Sequence, residues 1–220
     1  RTGPCCDALA AAGIRKVVAS LADPNPLVAG NGFARLRAAG VEVEVGPGAA
    51  QARELNLGFF SRMVRKTPWV RMKIAASLDG RTALANGDSQ WITSPAARAD
   101  GQTSRARACA ILTGIGTVLK DRPTLDARLA NTPRQPHLVV VDSRLQTPPD
   151  ASIFIAGRAV FISASSQNDA KKQALEAAGA TVLHLPDAVG RVELAALLHE
   201  LARREINEVH GEAGHNSIGA

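Results

Sequence analysis

Tyrosine is absent from these 220 residues, and aromatic residues make up only 3% of them. Stacking platforms for bases need aromatic faces, and a nucleic-acid stripe needs clustered Lys and Arg. Neither is here, so nucleic acid is a poor partner. No apolar run is long enough to span a membrane. Three cysteines, Cys5, Cys6 and Cys109, cannot frame a disulfide scaffold and fit a cytosolic redox state. No repeat, low-complexity tract or targeting segment stands out. Arg1 opens the chain in what reads as mid-motif, and Ser217 to Ala220 break off where a helix begins. The expectation is a fragment of a longer cytoplasmic protein.

The chain is long enough for one large or two small domains, with ordinary charged and apolar fractions. Its net charge of +6 suits an anionic partner, a phosphorylated metabolite or a dinucleotide. Arginines spread over solvated helices explain most of the excess.

Residues 1 to about 65 read as alternating elements. A helix ends at Gly13, Arg15 to Ser20 is a buried strand, and Asp23-Pro24-Asn25-Pro26 is a loop. Gly32 to Ala39 is a helix, Val41 to Val45 a strand, and Gln51 to Arg62 a helix with Leu55, Phe59 and Phe60 on its apolar side. A seam follows at Arg65 to Pro68. Val70, Met72 and Ile74 then alternate with Arg71 and Lys73, as in a strand with one buried face. Asn86-Gly87 marks a turn, and Thr93-Ser94-Pro95 starts a helix reaching about Ala108. Strands are predicted over 110–113, 137–141, 159–162, 181–185 and 208–212, with helices over 169–178 and 192–204. This β/α alternation implies a parallel sheet.

Gly114-Ile115-Gly116-Thr117 after a strand has the form of a phosphate cradle, although such a pair of glycines is more often a tight turn. Glu212-Ala213-Gly214 repeats the strand-end pattern, and two such turns in one parallel sheet favour a dinucleotide site. Arg105 and Arg128 have the fork chemistry to clamp a phosphate; each taken alone reads better as a solvated arginine. Trp91 reads as core filler unless a flat ring stacks on it. His210-Gly211-Glu212 has the spacing of a deaminase His-x-Glu, but it follows the cysteines and ends a strand, so it is rejected.

Several stretches, in order, resemble a known family. They are Pro4-Cys5-Cys6-Asp7-Ala8-Leu9, Asp23-Pro24-Asn25-Pro26, Asn56 with Gly58-Phe59, Lys73 to Arg81, Ser89 to Thr93, and Glu212-Ala213-Gly214. Together they resemble the RibD family, bifunctional deaminase/reductases of riboflavin biosynthesis, over nearly the whole chain. The resemblance implies an α/β fold in two parts. Residues 1–65 would be the C-terminal part of a cytidine-deaminase-like α/β/α zinc domain, with Cys5 as a metal ligand. Residues 66–220 would be a dihydrofolate-reductase-like domain with a mostly parallel sheet, using NADPH to reduce the ribosyl group of a phosphorylated aminouracil.

Carried over by position, the cofactor would meet Ala75, Trp91, Thr117, Asp121, Ser143 and the turn Gly214, His215, Asn216, Ser217, Ile218, Gly219 and Ala220. The substrate would meet Ser89, Arg105, Leu125, Arg128 and Glu212, with Lys73 as the catalytic candidate. The sequence departs from the family at Gly3, usually Pro, and at Gly211, usually apolar. Most of the zinc ligands are missing from it. Besides the reductase, a zinc deaminase and a nucleotide-binding module without turnover remain as competing classes. The expected partner is a small phosphorylated pyrimidine, with no nucleic acid and no membrane, and homo-oligomerisation is left open.

Overall fold

A computed structural model describes residues 3–86, 88, 89, 91–129 and 132–212. The chain divides into two compact units, Arg1–Thr67 and Pro68–Ala220.

The first unit runs α1 (Cys5–Ala11), β1 (Lys16–Ala19), α2 (Asn31–Ala38), β2 (Glu42–Val45), α3 (Ala49–Leu55), α4 (Leu57–Phe60) and a π-helical turn, Ser61–Arg65. β1 and β2 pair in parallel, Lys16 opposite Glu42. Cys6, Leu36 and Val41 form a small core, with Leu9, Val17 and Val43 packed on it. Two expectations fail here. The strand over 15–20 is not buried: alternation turns Val17 to the core and leaves Val18 55% exposed. The helix over 51–62 breaks at Asn56, whose side-chain amide donates to the Ala52 carbonyl at 2.8 Å, a local bond that competes with the helical ladder. The break leaves Leu55 exposed instead of on an apolar face.

The second unit contains β3 (Trp69–Lys73), α5 (Pro95–Arg107), β4 (Ala110–Gly114), α6 (Ile115–Asp121), β5 (His137–Val141), β6 (Val160–Ala164), α7 (Asp169–Ala177), β7 (Ala180–His184), α8 (Leu194–Arg203) and β8 (Glu208–Glu212). Its six strands lie in the order β3-β8-β4-β5-β6-β7, and every pairing is parallel. β5 and β6 read as continuous apolar runs because both faces of the sheet are covered. On one face Ile111, Leu138, Val140 and Ile162 pack with Val118 of α6 and Leu175 of α7. On the other, Val139, Phe161 and Val209 pack with Leu197 and Leu201 of α8.

Ser94 caps α5 as predicted, accepting the Ala97 amide at 3.2 Å with Pro95 inside the first turn. β3 is an edge strand with β8 as its neighbour, and its apolar face is only partly used. Val70 joins the α8-side cluster, whereas Met72 and Ile74 remain about half exposed beyond it. The Gly-x-Gly segment is not a loop either. β4 runs directly into α6, so Gly116 sits in the first helical turn, and neither glycine has a positive φ.

Candidate active site at the carboxyl ends of the parallel strands

β8 is inserted between β3 and β4, and that insertion organises the site. Register places Lys73 beside Glu212, so both side chains leave the sheet on the same face at its carboxyl edge. From α5, Arg105 reaches this face. The Arg105 guanidinium grips Glu212 with two parallel bonds, Nε to Oε1 and Nη2 to Oε2, the latter at 2.6 Å. Its Nη1 donates to the Asp126 carbonyl at 3.0 Å. Arg105 therefore commits three of its five N–H donors in these bonds. Thr113 Oγ1, buried on β4, fixes the Glu212 carbonyl at 2.8 Å.

Burial alone would raise the Glu212 carboxyl, but the hydrogen bonds and charge of Arg105, with the nearby His210 adding to them, overcome it and hold the pKa at about 2. His210 is 2% exposed, and its Nε2 lies 3.2 Å from Glu212 Oε1 without reaching hydrogen-bond geometry. His210 lies on β8, between β3 and β4, and among the described residues no three His, Cys, Asp or Glu side chains converge as a metal site requires.

The segment after α6 forms the opposite wall. Asp126 accepts from Thr124 Oγ1 at 2.6 Å and faces Arg128 Nη1 at 3.4 Å. Burial works against its charge, but the Thr124 bond, Arg128 and Arg105 bring its pKa below the usual carboxylate value. Arg128 is otherwise open to solvent and receives its backbone placement from Gln102, which accepts the Arg128 amide at 2.9 Å. Leu125 is 4% exposed with φ +50°, so its side chain belongs to the core and only its backbone is presented to the site.

Ala75, Thr117 and Ser143 follow the carboxyl ends of β3, β4 and β5, and β8 lies between β3 and β4. These four strands are consecutive in the sheet, so residues scattered along the sequence share one edge. A crevice beyond the carboxyl ends of parallel strands is where dinucleotides bind in such sheets. Ser143 Oγ accepts the Val192 amide at 3.2 Å, leaving its proton free to donate. Asp121 closes α6 and is exposed.

Trp91 is not core: it is 70% exposed, with the Arg98 guanidinium 4.2 Å from its ring centroid. One ring face is thus occupied and the indole is held at the surface. Ser89 is exposed. Thr117 and Ser143 bring hydroxyls to this sheet edge, a donor set that fits a dinucleotide, whereas Asp121 stands at the end of α6 and Trp91 in the segment before α5. Gly214 to Ala220 lie outside the described residues.

Cys5 begins α1 and is exposed as a free thiol. One thiolate does not hold a zinc ion, which takes four ligands in structural sites and three plus water in catalytic ones. The described residues of this chain therefore do not fit a zinc centre.

Sequence reading missed Asp126, Thr113 and Arg158. Arg158 lies two residues before β6, yet its guanidinium reaches the Leu125 carbonyl at 2.6 Å and the Thr124 carbonyl at 2.5 Å. Burial pulls its pKa down to about 10, against the attraction of Asp126, so it stays cationic at neutral pH. No motif marks these residues, because each acquires its role from a partner far away in sequence.

Known proteins carry the same sheet. Riboflavin biosynthesis protein RibD of Escherichia coli is 42% identical over the whole of this chain, which covers 62% of that protein. The solved structure of Acinetobacter baumannii RibD superposes with a TM-score of 0.86 at 40% identity, over 98% of this chain and 59% of that one. A diaminohydroxyphosphoribosylaminopyrimidine deaminase/5-amino-6-(5-phosphoribosylamino)uracil reductase from Thermotoga maritima gives 0.81 at 31% identity, over 97% and 57%. The chain spans about 60% of the length of the curated relatives it matches. Residues 68–220 match the model of the RibD C-terminal domain, and the chain belongs to that family.

Proposed function

We propose that residues 66–220 are an NADPH-dependent reductase of riboflavin biosynthesis, converting the ribosyl group of 5-amino-6-(5-phosphoribosylamino)uracil to a ribityl chain. Membership of the family supports the reaction class. The observation that carries the substrate is the charge at the sheet edge. Three cations, Lys73, Arg105 and Arg128, stand with two carboxylates, Glu212 and Asp126. That surplus suits a phosphate ester.

Bound NADPH supplies hydride to the anomeric carbon. The protein's part is alignment and charge. Arg128 and the uncommitted N–H donors of Arg105 bind the substrate phosphate. Glu212, kept ionised by Arg105, accepts from substrate N–H or hydroxyl groups. Ser89 and the Leu125 backbone complete the substrate wall. Opening of the sugar ring to an imine makes the anomeric carbon electrophilic and requires a proton at the ring oxygen. Lys73, beside Glu212, is the proposed group holding that proton. Ala75, Trp91, Thr117, Asp121, Ser143 and residues 214–220 take the dinucleotide.

Residues 1–65 are read as the C-terminal remnant of a cytidine-deaminase-like domain, and 66–220 as dihydrofolate-reductase-like. The deamination named for the Thermotoga relative is assigned to the longer parent protein, and no step of it is drawn through Cys5. No helix among the described residues is long and apolar enough to cross a membrane; a cytoplasmic enzyme with a small-molecule partner is the matching proposal.

The test follows NADPH oxidation at the nicotinamide absorbance with the phosphoribosylaminouracil, chelator present, in this chain and in its complete reading frame. Chelator-resistant oxidation supports the reductase. Cofactor binding without oxidation by a folded protein replaces it with a binding module. A Lys73→Ala protein with a normal rate removes Lys73 from proton handling.

A further inference from the structure

The segment from Arg122 to Arg128 has no helix or strand ladder to fix it, yet it builds one wall of the site. Arg122 and Leu125 hold φ values of +42° and +50°, a region that L-residues leave unless their surroundings impose it. Gln135 clamps Ala127, its Oε1 accepting the amide at 2.8 Å and its Nε2 donating to the carbonyl at 3.1 Å; the group that holds Thr124 and Leu125 is Arg158. Its Nη1 donates to the Leu125 carbonyl at 2.6 Å, and its Nη2 donates to the Thr124 carbonyl at 2.5 Å and to the Ile153 carbonyl at 2.7 Å. One planar cation thereby ties this segment to residue 153, near the start of β6. Its Nε is buried without a hydrogen-bond partner, so the side chain is held entirely through the fork.

The residues next along the chain are the ones that face substrate. Asp126 gives its carbonyl to Arg105 and its carboxylate to Arg128. Resting on the reductase reading above, we propose that Arg158 is a positioning residue: its three carbonyl bonds set the Thr124–Arg128 backbone so that Arg105 and Arg128 converge on the substrate phosphate. It touches neither substrate nor cofactor. A lysine keeps the charge but lacks the planar fork that spans two adjacent carbonyls and a third.

The experiment compares the wild-type 220-residue chain with Arg158→Met and Arg158→Lys. Three readouts are taken: amide exchange at residues 124–128, calorimetric affinity for ribose 5-phosphate, and steady-state kinetics with the phosphoribosylaminouracil. The expectation for Arg158→Met is faster exchange confined to this segment. Ribose 5-phosphate affinity falls, and substrate KM rises, by about tenfold or more, as loss of a charge-assisted contact implies. The kcat and the KM for NADPH stay near wild type, and Arg158→Lys recovers only part of the affinity. A merely structural role would instead lower Tm and leave both KM values alone.

Unchanged exchange at 124–128 overturns the proposal, and so does faster exchange with unchanged ribose 5-phosphate affinity. Should Arg158→Met not fold, Arg158→Lys decides by the same two criteria. A wild-type chain that binds ribose 5-phosphate but never oxidises NADPH defeats the reductase reading, while exchange and affinity still judge Arg158.

Discussion

The two units are written in the same β/α grammar and differ in how much of it closes. In Pro68–Ala220 the described residues form six parallel strands whose middle members are covered on both faces, and Leu138, Val139, Val140 and Ile162 are fully buried. In Arg1–Thr67 the same alternation yields, among the described residues, two strands and a core of Cys6, Leu36 and Val41, with Leu27, Leu55 and Val64 left well exposed. A two-stranded sheet is marginal by itself. Helix ends show the same contrast. α5, α7 and α8 are each capped by a side chain, from Ser94, Asn168 and Glu193, and α6, continuous with β4, is not. α1 to α4 carry no side-chain cap. Local sequence pattern proposes an element; the number of neighbouring strands decides whether it is buried and held.

The largest expected effect tests that contrast directly. Leu138→Ala removes a fully buried side chain from the middle of the sheet and should cost roughly 2–5 kcal/mol in denaturant unfolding. Val18→Ala, at a 55% exposed position of β1, should cost about 0.5 kcal/mol or less. Equal losses would break the comparison.

Next in size is an acid effect confined to the second unit. Glu212 titrates at about 2 in the folded protein against an ordinary 4.5. A depressed carboxyl contributes stability that is complete above its unfolded pKa and is lost as pH falls through its folded one. Stability of the second unit should therefore decline between about pH 4.5 and 2, by about 3 kcal/mol at most. Glu212→Gln should abolish that part of the slope. The first unit's ion pairs, Lys16 with Glu42 and Glu44 and Arg35 with Asp7, are solvent-exposed and should add little. Unfolding monitored across this pH range, with wild type and Glu212→Gln, checks the assignment.

The sheet was legible because its strands obey local rules. The apolar runs of β5 and β6 and the Ser94-Pro95 start of α5 were read at their places, and β/α alternation gave the parallel pairing. The errors share one cause. Val18, Leu55, Met72 and Trp91 are apolar residues whose burial depends on what lies beyond their own segment. Of the candidate site, the residues taken from sequence motifs that the register brings side by side are Lys73 and Glu212. Arg158 reaches back more than thirty residues to Thr124 and Leu125, and no local pattern marks such a bond.

A smaller effect follows from the caps. Asn168 accepts the Lys171 amide at 3.0 Å, and Asn168→Ala should cost about 1 kcal/mol in thermal or denaturant unfolding. The first unit offers no equivalent gain at the starts of α2 and α3. Gly30 and Gly48 occupy those positions at φ +80° and +74°, where a capping Ser or Asp would be strained.

The smallest net effect concerns the strand that completes the larger sheet. Gly211 lies inside β8, where glycine weakens a strand for lack of packing. Here the space is filled from next door: a Cβ at Gly211 would lie 2.2 Å from Met72 Sδ. Met72 is 44% exposed on the edge strand and has room to swing out. Gly211→Ala alone should therefore nearly cancel, gaining strand propensity and losing the Met72 contact, within about 1 kcal/mol of wild type. In a Met72→Ala background the added methyl meets no sulfur, and Gly211→Ala should become stabilising. A double-mutant cycle by denaturant unfolding should return a coupling of about 0.5–3 kcal/mol. Zero coupling would mean that Met72 does not occupy the glycine's space in solution, and that β8 owes its order to the strands and helix around it alone.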